Sequence, residues 1–230
     1  MKQRLGRILL YVAAAMLGCD MATDLANAAG DKKIVLVGAS IGKAWHIDQL
    51  AQREDLPGYS FGYVGVNSFD KGPLIDELIT RKDKPDWVMI KECSTYFPGD
   101  EQRYHRSVEE WAAQLRRAGI QPVLVTTAPV SEPAGTIAKG RITVKHLLGM
   151  RSWLDDITAY NDWLRRYAAR EHLPLFDLEA VLRVSDNNRY LKKEYGSGDM
   201  VHLTPVAYQA MDSEFTAFLK RTEAASAARR

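Results

Sequence analysis

Three residues of this chain have side chains and settings suited to nucleophilic chemistry: Ser40, Asp199 and His202. Asp199 precedes His202 by three positions in "GSGDMVHLTPVAYQAM", a glycine-containing loop that runs into a helical pattern. A serine hydroxyl is a poor nucleophile at neutral pH and needs an imidazole within reach to take its proton. A carboxylate on the other ring nitrogen fixes the tautomer and stabilises the imidazolium that forms. Ser40 lies far upstream in "VGASIGKAWHIDQL", at the turn between an apolar run and a helical stretch. There the free N–H groups and positive end of the helix favour an anion beside the hydroxyl. The same position also suits a simple helix cap. "GASIGK" approaches a phosphate-binding loop, but it has three residues between the glycines instead of four, and Ala44 follows Lys43 where Ser or Thr is required. The dinucleotide pattern fails as well, with only Gly38 and Gly42 present.

These residues can meet only if the fold brings them to one edge. Short apolar runs recur along the chain: "KIVLVG", "YSFGYV", "DWVMIK", "PVLVTT" and "LPLFDL". Several are rich in Val and Ile without alternation, as strands buried on both faces are. Amphipathic stretches separate them, such as Ser107 to Gly119, with Val108, Trp111, Leu115 and Ala118 on one face and Gly119 as its C-terminal stop. Strands alternating with helices predict an α/β fold with a parallel sheet covered on both sides. Loops leaving the C-terminal ends of such strands form the usual site. The segment from Ala128 to Met150 holds Pro129, Pro133, Gly135 and Gly140 and reads as a long loop with only short structure, placed to overhang that edge or to run over the surface.

Composition narrows the partners. With 46% hydrophobic residues over 230 positions, the chain can bury one substantial core. Its 31 basic and 29 acidic residues are too balanced for nucleic acid binding through phosphate charge. "MKQRLGR", an apolar run and "ANAAG" read as a secretory leader over residues 1–28, which implies a periplasmic or secreted mature protein. Cys19 after "MLG" also resembles a lipoprotein cleavage site, which would end the leader at residue 18 and provide the sole membrane attachment, a lipid. Cys93 is then the only thiol of the mature domain, 31–222, and the Ala/Arg-rich tail 223–230 reads as frayed.

The blocks "VGAS", "YNDWLRRYAAREHLPLFDLEAVL" and "GDMVHLTPVAYQAM" together resemble the SGNH (GDSL-type) hydrolase family. The resemblance implies a three-layer α/β/α, flavodoxin-like fold with about five strands. It also implies Ser40 as nucleophile, His202 as base and Asp199 as the acid that orients it, with no metal and no cofactor. The family completes its oxyanion hole with a glycine N–H after the second strand and an Asn after the third. By resemblance the glycine is Gly65 or Gly72, with spacing to the following helix favouring Gly72. The G-x-N-D block becomes "CSTY", placing Cys93 at the Gly and Thr95 at the Asn, in a branch that carries "KEC" here; Lys91, Glu92 or Ser94 are further candidates for the pocket. The implied activity is hydrolysis of an ester, foremost an O-acetyl ester of a cell-envelope or extracellular carbohydrate. Acyl transfer with the same triad, and a non-catalytic envelope protein on the same fold, are the alternatives.

Among the remaining residues, Trp45 and Tyr96 follow the presumed site blocks and are candidates for stacking on a sugar. Trp87, Trp111, Trp153 and Trp163 read as core. His46 and Asp48 lack a partner at metal-site spacing, and His105, His146 and His172 read as surface. Lys139, Arg141, Lys145 and His146 make the long loop basic, which suits either a solvated surface or an anionic substrate such as an acidic polysaccharide.

Overall fold

The five apolar runs pair with one another in the computed structural model, which describes residues 31–228. They form β1 (Lys32–Gly38), β2 (Tyr59–Gly65), β3 (Trp87–Lys91), β4 (Gln121–Val125) and β5 (Leu175–Phe176), all parallel, in the order β2-β1-β3-β4-β5. Side chains alternate between the two faces of a strand, so each strand feeds two cores. Ile34, Leu36, Met89, Val123 and Phe176 point to one face, where they pack with Trp45, Leu50, Met211 and Phe215. Val35, Val37, Val88, Ile90 and Leu124 point to the other, against Ile75, Trp111, Leu115, Tyr160 and Leu164. The result is the expected α/β/α arrangement. Its first face carries α1 (Ser40–Ala44), α2 (Leu50–Arg53), the later α7 (Leu178–Leu182) and α8 (Pro205–Ala227); its second carries α3 (Gly72–Thr80), α4 (Glu101–Arg117) and α6 (Trp153–Arg170).

Local signals place several boundaries. Asp100 caps α4 by accepting from the Arg103 N–H, and α4 buries Tyr104, Val108, Trp111, Ala112 and Leu115. Gly119 follows its C-cap at φ +77°, a left-handed conformation that glycine adopts without strain. Ser152 and Asp155 form a capping box at the start of α6.

Two expectations change. The segment read as a long loop contains a twelve-residue helix, α5 (Thr136–Leu147). It buries no residue and approaches the body through the half-buried Ala138 and Ile142, so it lacks the core-facing stripe that reveals a helix in sequence. The tail read as frayed from residue 223 continues α8 as far as Ala227, and Glu223 accepts a hydrogen bond from Lys32 Nζ at 3.2 Å. The leader and Cys19 lie outside the described residues. Among the described residues, no helix is long and apolar enough to cross a membrane.

Candidate active site

All five strands run the same way, so the loops after them share one edge of the sheet. Ser40 follows β1 there as the first residue of α1, and the N-cap is Ala39, which has no side-chain cap. The serine hydroxyl is therefore not used as a cap. Ser40 opens onto a depression of about 340 Å³ lined also by Lys43, Tyr63, Gly65, Val66 and Asn67, residues at the ends of β1 and β2. Gly65 pairs with Gly38, and the Val66 N–H donates to the Gly38 carbonyl at 3.1 Å. Tyr63 Oη lies over this turn, donating to Ala39 O at 3.1 Å. A Cβ on Gly65 would come within 1.9 Å of that hydroxyl, so any larger residue there must displace the Tyr63 side chain.

Asp199 and His202 are brought together. His202 Nδ1 and Asp199 Oδ2 are 2.6 Å apart. Asp199 Oδ1 accepts from the backbone N–H groups of His202 at 2.7 Å and Val201 at 2.9 Å. Those N–H groups, the His202 backbone first and its ring next, hold the Asp199 carboxyl down at about 2 although it is well exposed. An antiparallel bridge between Gly196 and Leu203 closes the loop. Ser131, in the segment after β4, fastens it to the sheet edge: its N–H donates to Met200 O at 3.0 Å and its hydroxyl to Asp199 O at 3.3 Å. Ser40 and this pair thus occupy the same edge, but among the described residues no hydrogen bond joins Ser40 Oγ to His202.

The oxyanion candidates separate. Gly72, favoured on spacing, starts α3, and its N–H donates to Asp70 Oδ1 at 3.0 Å; Gly65, not Gly72, lines the Ser40 depression. Thr95 is exposed, with its hydroxyl 3.2 Å from the Sγ of the buried Cys93.

Trp45 is corrected: it is 2% exposed and serves the core, not a sugar. Its Nε1 donates to Asp212 Oδ1 at 2.7 Å, its ring packs on Phe176 and Phe215, and Arg53 grips the same carboxylate with two nitrogens. The Trp–Asp pairing spans 167 positions of sequence, beyond any local pattern. Tyr96 stays half-buried, edge-on to Phe69, with its hydroxyl 3.4 Å from Val66 O, and burial raises its pKa. Trp153 is half-buried as well, donating to Ser94 O at 2.8 Å. His105 is half-buried, stacked on Trp163 at 3.8 Å between centroids, and burial lowers its pKa. Among the described residues, no group of three or more His, Cys, Asp or Glu is placed to hold a metal ion.

Sequence reasoning missed the role of Lys71. Lys71, Lys91 and Glu92 are all buried beneath this edge, with Lys71 Nζ hydrogen-bonded to Glu92 Oε2. Burial pushes the Glu92 carboxyl up against the opposing pull of Lys71, and it pushes the Lys91 ammonium down to about 8. Lys91 Nζ donates to Glu92 O at 3.0 Å. The "KEC" block therefore supplies a buried charge cluster under the site; its partner Lys71 sits 21 positions away in a loop and leaves no local signal.

No protein-family model matches the sequence, and no curated protein matches it either. Solved structures do match. A GDSL-like lipase from Bacteroides thetaiotaomicron is 18% identical with a TM-score of 0.59, over 83% of this chain and 89% of that one. A protein from Slackia heliotrinireducens described as an SGNH hydrolase is 21% identical with a TM-score of 0.59, over 83% of this chain and 100% of that one. An acetylxylan esterase from Geobacillus stearothermophilus is 15% identical with a TM-score of 0.58, over 82% and 94%. With its parallel sheet, its serine after the first strand and its Asp–His loop before the last helix, the chain has the fold of the SGNH (GDSL-type) hydrolases.

Proposed function

We propose that this protein is an exported serine ester hydrolase of the SGNH type, acting on an O-acyl ester of a carbohydrate. The observation that carries the reading is the Asp199–His202 contact of 2.6 Å, on a loop tied to the sheet edge that bears Ser40. In this reading Ser40 Oγ attacks the acyl carbon while His202 Nε2 takes its proton. Asp199, on Nδ1, holds the tautomer and stabilises the imidazolium. The tetrahedral oxyanion is met by the Ser40 N–H at the start of α1, beside the depression that Gly65, and not Gly72, borders. His202 returns the proton to the departing sugar hydroxyl, and water then attacks the acyl-serine by the same route in reverse. The ester and carbohydrate assignment draws support from an acetylxylan esterase among proteins of the same fold, and export from the leader-like N-terminus.

Release of p-nitrophenol from p-nitrophenyl acetate by the mature protein tests the reading. Ser40→Ala and His202→Ala are each expected to lower kcat by on the order of 10⁴ or more, and a fluorophosphonate probe should label Ser40 alone. Absent turnover together with absent labelling would leave a non-catalytic protein on this fold.

A further inference from the structure

Beneath α5 lies a second cavity, of about 340 Å³, whose lining includes two cationic side chains. The acidic groups beside the helix contact other side chains: Glu132 pairs with Lys139 at 2.8 Å, Asp155 meets the His146 ring at 2.7 Å and Asp156 pairs with Arg151 at 2.8 Å. Arg141 and Lys145, one turn apart on α5, both line the cavity, and among the described residues no carboxylate lies within 4.0 Å of either. Opposite them stand the half-buried rings of Trp153 and Tyr190, with Ile142 and Met200 adding apolar wall. Two cations without a direct carboxylate contact, beside aromatic and apolar surface, suit a ligand with a flat apolar face and a carboxylate.

The cavity adjoins the candidate site on two sides. Met200 lies within the Asp199–His202 loop, and its carbonyl is held by the Ser131 N–H. Trp153 donates through Nε1 to Ser94 O, in the segment after β3 that carries Cys93 and Thr95. A sugar held in the cavity would thus be positioned by the walls of the site itself.

We propose that this cavity is a subsite for an anionic sugar, a hexuronate residue, whose carboxylate is taken by Arg141 and Lys145 and whose ring stacks on Trp153 or Tyr190. As a substrate subsite it rests on the esterase reading; as a binding site it does not. The test uses the mature protein and two oligosaccharide probes, an unacetylated galacturonate oligosaccharide and a neutral xylo-oligosaccharide of equal length, with decanoate as an apolar carboxylate for comparison, read by calorimetry and by quenching of tryptophan fluorescence. The expected result is tighter binding of the galacturonate by tenfold or more, weakening with salt. Arg141→Ala and Lys145→Ala should each reduce it at least tenfold, while Lys139→Ala leaves the preference intact. Equal binding of both probes, no binding, indifference to Arg141→Ala and Lys145→Ala, or tighter binding of decanoate than of the galacturonate would each overturn the proposal. p-Nitrophenyl acetate turnover is measured in parallel, so that failure of the esterase reading registers in that assay and failure of the anion subsite in the binding assay. If turnover is present, acetylated galacturonate should exceed acetylated xylo-oligosaccharide in kcat/KM, and the two variants should erase that ratio.

Discussion

A short hydrogen bond on an exposed loop carries the proposed chemistry at the scale of single residues. Asp199 is held ionised by two backbone N–H groups and one imidazole, so its carboxyl should titrate near 2 by carbon-13 NMR. Its folded value lies below its ordinary 3.8, so whatever it contributes to the loop is present above that pH and is lost as pH falls toward 2. A midpoint near 4 would mean that the loop does not hold the carboxylate as described. Asp199→Asn should keep the fold and lower kcat by about 10²–10⁴, since the imidazole loses both its orientation and its charge partner. Gly65→Ala should cost activity through crowding: the new methyl must displace Tyr63 Oη, and a tenfold or larger drop in kcat with little change in Tm is the expected result. The buried cluster gives two changes of opposite sign. Glu92→Gln strips Lys71 of its carboxylate and should destabilise by about 3–5 kcal/mol. Lys91→Met removes an ammonium whose sole hydrogen bond among the described residues goes to a carbonyl and should raise Tm, as differential scanning calorimetry would register.

Among the elements, what holds the site edge together is largely a network centred on the fully buried Glu179 in α7. Arg189 grips both of its oxygens, Arg165 and Asn161 add to one of them, and Thr126 Oγ1 accepts from its backbone N–H. Asn161, on α6, also donates to Thr127 O and accepts from Thr127 N, so it clamps the chain as it leaves β4. Asn161→Ala orphans these groups and should cost about 2–4 kcal/mol, measured by urea denaturation; a loss below 1 kcal/mol would contradict the clamp. The strands, α4 and the Asp–His loop were legible because each is written in adjacent residues: apolar runs, a helical stripe, a three-residue spacing. The burial of Trp45, the Lys71–Glu92 pair and the choice of Gly65 over Gly72 depend on partners up to 167 positions apart, which periodicity does not reach. The α5 helix escaped for the opposite reason, since a helix with no buried face writes no stripe.

The whole molecule divides unevenly between what is locked and what is loosely attached. Two cores sandwich the sheet, with Ile34, Leu36, Val37, Met89, Val123 and Leu124 wholly buried, while the segment from Gly135 to Met150 has only Ala138 and Ile142 half-covered. On its outer side Ile137, Val144, Leu147 and Leu148 are 78%, 54%, 82% and 70% exposed. Little free energy separates this helix from the open chain, whereas β1 can open only with the domain. In a hydrogen-exchange experiment the amides of α5 should therefore exchange orders of magnitude sooner than those of α6, although the two are neighbours in sequence. A protease of broad specificity should nick the folded protein there first. Because α5 roofs the cavity and carries Arg141 and Lys145, a ligand that bridges roof and floor would slow that exchange and delay that cut, so protection of one helix would report occupancy of the cavity without any turnover being measured.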